Sequence, residues 1–339
     1  MGMTKLKVSE RRTIIDGLKG RSLVSINDLT KEEINIILDT AQAMKNIIQN
    51  GKEHLVSEIL DGCIISSFFF EPSTRTDHSF QWAANKMGAH VISTSHAGVF
   101  SSAAKGESLP DTITIESGYC DLIILRHPER GSAEEARKAS SVPIINAGDG
   151  NGEHPTQALL DLFTIKEIRE GEVNGTRIGM MGDLKNGRTI HSLVKLLNLY
   201  DGITVLLNSP SPLKLPQELA SEANRLNILE VETIDQHIVD IDILYVTRIQ
   251  LERFSEEEKR GFTLGEKYKI NLKKISPNPS LKIMHPFPRI DEISVDIDNT
   301  IHEYYFKQAD NGKYVRMALL ALIFGKISPL YNLIINSSK

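Results

Sequence analysis

The sequence predicts an α/β protein with two doubly wound domains, each with a mainly parallel sheet flanked by helices, linked by interdomain helices. Short apolar runs typical of buried strands alternate with segments of helical periodicity along most of the chain. A chain of 339 residues, 40% hydrophobic and 24% charged, is long enough for two such domains. The alternation also restarts after a long helical segment at 156–170, which separates two series.

The first series contains four strand-like runs. Glu71-Pro72 ends the first run, and Ser73 is predicted to be the N-cap of a helix that continues through Phe80 and Met87. The predicted strands are 63–70, 91–94, 122–125 and 142–146, and the predicted helices lie near 79–86, 110–116 and 132–140.

The second series repeats this alternation. Its predicted strands are 177–181, 204–208, 229–232, 243–247 and 282–285, with helices at 189–199 and 215–226. The last apolar helix, 315–324, comes too late to start another strand and helix, so we expect it to pack on the first domain. The predicted domains are therefore 1–153 with 310–339, and 154–309.

Composition and charge exclude several classes of protein. The net charge of -5 argues against nucleic acid as a partner. No apolar run approaches the ~18 residues of a membrane helix, and the basic start of the chain lacks the apolar stretch of a signal peptide. We therefore expect a cytoplasmic protein without a membrane partner. Cys63 and Cys120 lie in apolar contexts, which favours buried free thiols over a disulfide or a metal pair.

The sequence carries no signature of a metal or an organic cofactor. Its ten histidines are scattered, and none falls in a His-x-x-x-His spacing. The glycine-rich run 148–152 lacks the Gly-x-Gly-x-x-Gly register of a dinucleotide site. We expect neither a metal ion nor a cofactor.

The segment Ser73-Thr74-Arg75-Thr76 predicts an oxyanion site. A helix that begins here offers unpaired backbone N–H groups and the positive end of its dipole. The three hydroxyl groups add donors, and Arg75 adds a fixed charge. Phosphate is the ligand that suits this set, although a capped helix with a surface arginine is the ordinary alternative.

Cationic and amide side chains also follow other predicted strands, at the end where ligands bind in open α/β sheets. Together with the phosphate segment they indicate a site for anionic ligands. The segments are Arg126-His127-Pro128, His154-Pro155-Thr156-Gln157, Arg248-Ile249-Gln250 and His285-Pro286-Phe287-Pro288-Arg289.

Through these segments, with Lys105-Gly106-Glu107 and Arg188, the chain resembles the catalytic chains of the aspartate carbamoyltransferase family. Order and spacing agree from about residue 28 to residue 327. The related ornithine carbamoyltransferases are expected to carry Ser-Met-Gly and His-Cys-Leu-Pro segments for a cationic amino acid. His285-Pro286-Phe287-Pro288 and two spare arginines suit a dicarboxylate instead.

The resemblance implies transfer of the carbamoyl group of carbamoyl phosphate to the amine of L-aspartate, the committed step of pyrimidine biosynthesis. The residues implied to act in catalysis are Arg75, Thr76, Lys105, Arg126, His154 and Gln157. Those implied to bind carbamoyl phosphate are Ser73, Thr74, Arg75, Thr76, Ser101, Lys105, Arg126, His154 and Gln157, with the backbone carbonyls of Pro286 and Phe287. Those implied to bind aspartate are Lys105, Arg188, Arg248 and Gln250. The resemblance thus assigns carbamoyl phosphate to the predicted domain 1–153 with 310–339, and aspartate to the predicted domain 154–309.

The resemblance also implies a homotrimer with shared active sites, in which Ser101 and Lys105 reach the phosphate bound by a neighbouring subunit. Such sharing is possible in a closed ring, because each subunit presents the same loop to the next. Contacts with a regulatory chain would depend on surfaces that carry no sequence motif.

Three alternatives stay open at this point. The run 182–189 nearly matches a phosphate-binding P-loop, but Arg188 stands where that loop requires lysine. The second alternative is a non-catalytic relative, which Asp77-His78 suggests, since a carboxylate that faced bound phosphate would repel it. Asp77 is expected to point to solvent instead. Phe287, which stands where relatives of the family usually carry leucine, is a milder departure that changes the bulk beside the site. The third alternative is another amino acid as acceptor.

Overall fold

The computed structural model describes residues 7–97, 106–251, 254, 265–331 and 334. The chain divides into two compact units, Met1–Leu159 with Asn311–Lys339, and Leu160–Asp310. Each unit has one parallel sheet, which confirms the predicted fold class. The assignment of one ligand to each predicted domain stays a prediction.

The first unit is built on a four-stranded parallel sheet. Its strands are β1 (Ile64–Phe69), β2 (His90–Ser95), β3 (Leu122–His127) and β4 (Ile144–Asp149). Its helices are α1 (Val8–Leu18), α2 (Lys31–Gln49), α3 (Thr74–Lys86), α4 (Leu109–Glu116) and α5 (Ser132–Ala139). The strand order is β2-β1-β3-β4, so the chain builds outward from β1 on one side and from β3 on the other. The gap between the ends of β1 and β3 is therefore the switch point of this sheet.

The central strands of this sheet are buried on both faces. Every residue of β3 and β4 is buried, which explains the near-continuous apolar runs in the sequence. Phe68, Ile123 and Ile144, from three adjacent strands, belong to one core cluster. Burying each such side chain contributes about 1.5–3 kcal/mol, and together they fix the carboxyl ends of the strands. The edge strand β2 is mostly exposed.

The second unit repeats the pattern with five parallel strands. They are β5 (Arg177–Met181), β6 (Thr204–Asn208), β7 (Asn227–Glu230), β8 (Ile243–Val246) and β9 (Lys282–Met284), in the order β7-β6-β5-β8-β9. Its helices include α7 (Arg188–Leu197), α8 (Gln217–Glu222) and α9 (Leu272–Ile275). The helix predicted at 215–226 is shorter, because Pro216 takes the N-cap position. The switch point lies between β5 and β8.

Two helices contain the points where the chain passes from one unit to the other. They are α6 (Pro155–Ile168) and α10 (Tyr305–Phe324). The prediction that the last helix begins at 315 is wrong, since α10 begins at Tyr305 and runs through the turn-like pair Asn311-Gly312. Asn311 is buried there, and its Oδ1 accepts a hydrogen bond from Lys45 Nζ at 2.8 Å. The residues of this helix from 311 onward belong to the first unit.

Both cysteines are buried free thiols, as predicted. Burial and the nearby charge of Glu116 raise the pKa of the Cys120 thiol to about 11. Across the described residues, the helices are too short or too polar to cross a membrane.

Gly182, directly after β5, provides a test of how closely the strand ends are packed. Its φ is +115°, and a Cβ atom there would lie 2.1 Å from the Thr247 carbonyl oxygen. We predict that Gly182→Ala lowers the free energy of unfolding by about 3 kcal/mol or more. Gly171→Ala is the matched control, because φ is +100° but no described atom lies within 4 Å of the added carbon. Its cost should be about 1–2 kcal/mol. If urea unfolding gave equal losses of stability for Gly182→Ala and Gly171→Ala, the close packing at Gly182 would be contradicted.

Candidate active site

The first turn of α3 carries the predicted phosphate-binding residues at the end of β1. Ser73 is the N-cap, as predicted, and its hydroxyl group does not cap the helix, which leaves it available to a ligand. Thr76 is buried, whereas Thr74 and Arg75 are exposed. Partial burial of its guanidinium group lowers the pKa of Arg75, but a guanidinium stays charged at neutral pH. The turn therefore combines hydroxyl donors, N–H donors and one cation.

Asp77 faces the sheet, so the expectation that it points to solvent is wrong. It is 6% exposed, and its carboxylate accepts hydrogen bonds from Ser67 Oγ at 2.6 Å and Gln81 Nε2 at 2.8 Å. Ser95 Oγ, at the end of β2, lies 3.4 Å away. The carboxylate thus ties the first turn of α3 to two strands. Its donors partly offset its charge, which weakens the argument for a non-catalytic relative.

Arg126 lies beside this turn because β3 pairs with β1. Phe69 is aligned with Arg126 in the ladder. The guanidinium donates to the Ala147 carbonyl oxygen at 3.0 Å and pairs with Glu71 at 2.7 Å. Burial lowers the pKa of the neighbouring His127, whose Nδ1 accepts the Glu129 N–H at 3.1 Å. Arg126 therefore supplies the positive charge of this strand end.

His154 and Gln157 lie at the start of α6, after the turn that follows β4. The Asp149 carboxylate holds this turn, accepting the N–H groups of Gly131 at 2.9 Å and Glu153 at 2.7 Å. His154 is 4% exposed, and its carbonyl oxygen accepts the Gln157 N–H at 2.9 Å. The first unit thus places the side chains that follow β1, β3 and β4 along one edge of its sheet.

Arg316, on α10, was missed by the sequence reasoning. It is 3% exposed and donates to Ser79 Oγ on α3 at 2.5 Å and to Thr156 Oγ1 on α6 at 3.5 Å. Its guanidinium also lies over the Phe80 ring, 4.8 Å from the ring centre. Arg316 therefore links α3, which carries Thr76, to the first turn of α6, which directly follows His154. A single charge inside an otherwise apolar helical run is the signal that marks it.

In the second unit, the loop after β5 folds around a buried carboxylate. Asp183 is fully buried and accepts the N–H groups of Asn186 at 2.9 Å and Gln250 at 3.3 Å. A P-loop would present such N–H groups to phosphate, but here Asp183 occupies them. This arrangement argues against a nucleotide site at 182–189, and it brings the loops that carry Arg188 and Arg248 together.

Arg188 begins α7, and Arg248 and Gln250 follow β8, at the switch point of the second sheet. Thr247 reinforces the junction, since its Oγ1 donates to the Met181 carbonyl oxygen at 3.2 Å. The second unit therefore gathers two guanidinium groups and one amide where ligands bind in open α/β sheets.

The segment after β9 is fixed by the His285 ring. Its Nδ1 accepts the Phe287 N–H at 2.8 Å, so Nε2 carries the proton and donates to Glu292 Oε1 at 2.6 Å. The Phe287 ring stacks on Phe306, 5.5 Å between centres, and meets Tyr305 edge-on. The aromatic contacts thus take up the extra bulk of Phe287.

Arg289, the last residue of this segment, has its charge balanced by a carboxylate. Its guanidinium makes a two-pronged pair with Asp298 and lies 3.0 Å from Tyr305 Oη. Arg289 is therefore held within the second unit by its own partners. The other two predicted site residues, Ser101 and Lys105, lie outside the described residues.

The fold and the two sets of cationic groups are those expected of a protein that binds small anionic ligands at sheet edges. Comparison with known families identifies it further. Residues 21–167 match the carbamoyl-P binding domain of aspartate/ornithine carbamoyltransferases, and residues 174–323 match the Asp/Orn binding domain. The chain belongs to the aspartate/ornithine carbamoyltransferase family.

Several relatives of the chain are aspartate carbamoyltransferases. The catalytic subunit from Methanosarcina barkeri is 46% identical over 316 residues, which cover 91% of this chain and 99% of that protein. The catalytic subunit of M. jannaschii aspartate transcarbamoylase has a TM-score of 0.81 at 44% identity, covering 89% of this chain and 97% of that one. The Trypanosoma cruzi enzyme in complex with N-(phosphonacetyl)-L-aspartic acid has a TM-score of 0.85 at 36% identity, covering 91% and 97%.

The buried Glu292 carboxylate makes the stability of the second unit depend on pH. Burial acts to raise its pKa, but hydrogen bonds from His285 and backbone N–H groups outweigh it, so the pKa is lowered. A carboxyl group with a depressed pKa stabilises the fold above its unfolded value, about 4.3, and loses this effect as pH falls through the folded value. We predict that Glu292→Gln costs about 2 kcal/mol at pH 7 and that its difference from the parent protein narrows below about pH 4. If urea unfolding gave the same difference in stability between the two proteins at every pH, the proposed role of the Glu292 charge would be contradicted.

Proposed function

We propose that the chain transfers the carbamoyl group of carbamoyl phosphate to the amine of L-aspartate, giving N-carbamoyl-L-aspartate and phosphate. The main support for the proposal is that each of the two family domains has cationic side chains at the end of its parallel strands, where ligands bind in open α/β sheets. The Trypanosoma cruzi relative has been crystallised with carbamoyl phosphate and aspartate together. The reaction is the committed step of pyrimidine biosynthesis. The cytoplasmic location stays a prediction from the sequence.

The first unit is proposed to bind carbamoyl phosphate. Its dianionic phosphate suits the N–H groups and hydroxyls at the start of α3, with Arg75 and Arg126 as fixed cations. Arg126 is already held in place by Glu71 and the Ala147 carbonyl, so its orientation does not have to be set by the ligand. Ser73 and Thr74 add the remaining phosphate contacts.

Thr76, Arg126 and His154 are proposed to donate to the carbamoyl oxygen. This oxygen gains negative charge when the amine attacks, and donors fixed in advance stabilise that charge. Loss of one such donor typically costs about 3–4 kcal/mol of transition-state stabilisation. Gln157 is proposed to bind the carbamoyl amino group.

The second unit is proposed to bind aspartate. Two carboxylates require two cations, and Arg188 and Arg248 follow neighbouring strands, with the Gln250 amide close by. The backbone carbonyls of Pro286 and Phe287 are acceptors for nitrogen-bound hydrogens of the substrates. The attacking amine belongs to the substrate, so the protein needs no activated nucleophile of its own. Alignment of two bound reactants can lower the barrier by several kcal/mol, and the departing phosphate is the acceptor for the amine proton.

We also propose a homotrimer in which Ser101 and Lys105 complete the site of a neighbouring subunit, with Lys105 also contacting aspartate. The support is the sequence resemblance and the position of both residues after the exposed edge strand β2. A cyclic trimer would present this segment to each site in turn.

The division of ligands between the units predicts separable binding defects. Arg75→Ala should weaken carbamoyl phosphate binding by about 100-fold, because a charge-assisted contact to a dianion is lost, and leave direct aspartate contacts unchanged. Arg248→Ala should raise the aspartate KM by a similar factor and leave the Kd of carbamoyl phosphate within about twofold. Calorimetry and steady-state assays, with ornithine as the control acceptor, measure both. Matched losses for both ligands in both variants would refute the division, and turnover of ornithine but not aspartate would refute the acceptor.

Shared sites predict complementation between inactive variants. Lys105→Ala and Arg75→Ala should each lose nearly all activity alone, yet mixing them under subunit exchange should restore some sites that carry neither lesion. Mass measurement confirms that mixed oligomers have formed. Mixed oligomers without recovered activity, or an active monomer of the parent chain, would contradict sharing.

A further inference from the structure

The carboxylate of Asp161 is fully buried on α6 and accepts hydrogen bonds from two other elements. Tyr245 Oη, on β8, lies 2.8 Å from Asp161 Oδ2, and Gln308 Nε2, on α10, lies 2.6 Å from Oδ1. All three side chains are at most 1% exposed. A carboxylate out of water is costly unless donors satisfy it, so these groups hold one another in fixed positions.

The Tyr245 side of this network leads to both arginines that are proposed to bind aspartate. Tyr245 belongs to β8, the strand that runs directly into Arg248. Its side chain also hydrogen-bonds Thr189, the residue next to Arg188. One phenol group therefore contacts the element that carries each guanidinium.

The Gln308 side leads to the segment after β9. Gln308 Oε1 accepts the His285 N–H at 2.7 Å, and His285 Nδ1 accepts the Phe287 N–H at 2.8 Å. The chain of contacts thus ends at the backbone of Phe287, where a carbonyl group is proposed to face the substrates.

The direction of the central hydrogen bond is fixed. Burial, followed by the charge of Asp161, raises the pKa of Tyr245 well above its ordinary value. The phenol keeps its proton at neutral pH and always donates to the carboxylate, so the network has one arrangement of donors and acceptors.

We infer that Asp161, Tyr245 and Gln308 form a positioning network for the acceptor substrate. By joining the segments that carry Arg188, Arg248 and Phe287, the network sets the spacing of the groups that hold a dicarboxylate. None of the three touches substrate. The inference rests on the proposed function, because it takes aspartate as the acceptor.

Tyr245→Phe is the primary test, because it removes one hydroxyl group and little else. The expected result is an aspartate KM raised about tenfold, with kcat lowered less than about threefold and the Kd of carbamoyl phosphate unchanged. Asp161→Asn, which keeps the size of the side chain, should raise the same KM. If Tyr245→Phe does not fold, the aspartate KM of Asp161→Asn tests the inference by itself.

Thr176→Val is the matched control. Thr176 is fully buried in the same unit, and its Oγ1 donates to the Val173 carbonyl oxygen at 2.5 Å, before the start of β5. Loss of this hydroxyl group should lower the free energy of unfolding by about as much as Tyr245→Phe does, and should leave the aspartate KM unchanged. An equal rise in KM for Thr176→Val would show a general loss of order and overturn the inference.

A double-mutant cycle of Asp161→Asn and Tyr245→Phe completes the experiment. Non-additive effects on KM are expected if the pair acts as one unit, and additive effects would overturn the network. A parent protein that is folded but does not carbamoylate aspartate refutes the proposed function and the inference with it. An active parent protein whose KM neither variant changes refutes the inference alone.

Discussion

Buried carboxylates that accept hydrogen bonds fix the loops of this protein, and the candidate site depends on them. Asp77 fixes the start of α3, Asp149 the turn before α6, and Asp183 the loop before α7. Each is at most 7% exposed. Because a desolvated carboxylate requires donors, each one draws neighbouring N–H or O–H groups into a single arrangement. The cations that we propose as ligand-binding groups therefore project from loops whose backbones are already set.

The same topology serves both units. In each sheet the strand order reverses beside the first strand, and the loops on either side of that point carry the cationic groups. Arg126 is aligned with Phe69 at the end of β1, the strand before Ser73. Val246, just before Arg248, is aligned with Met181 at the end of β5, the strand before Arg188. A chain with net charge -5 can in this way concentrate positive charge at the edges of its two sheets.

The sequence predicted those features that depend on local order along the chain. The strands, the N-cap at Ser73 and the polar strand ends follow from periodicity and capping, and the roles of individual residues followed from a family resemblance. The orientation of Asp77, the start of α10 and the part played by Arg316 were not predicted. Each depends on partners far along the chain: Lys45 and Asn311 are 266 positions apart, and Arg316 and Ser79 are 237 apart. Such pairs leave no local pattern.

The burial of Cys63 and Cys120 has a practical consequence for labelling. A thiol reacts with maleimides and similar reagents through its thiolate, and at pH 7 a group with a pKa near 11, such as Cys120, is almost entirely protonated. Cys63 is 6% exposed, which restricts access of bulky reagents. A cysteine introduced at an exposed position such as Lys138, whose side chain is 70% exposed, would therefore react far faster than either native thiol. Fluorophores or spin labels can then be attached at chosen sites without first replacing the native cysteines.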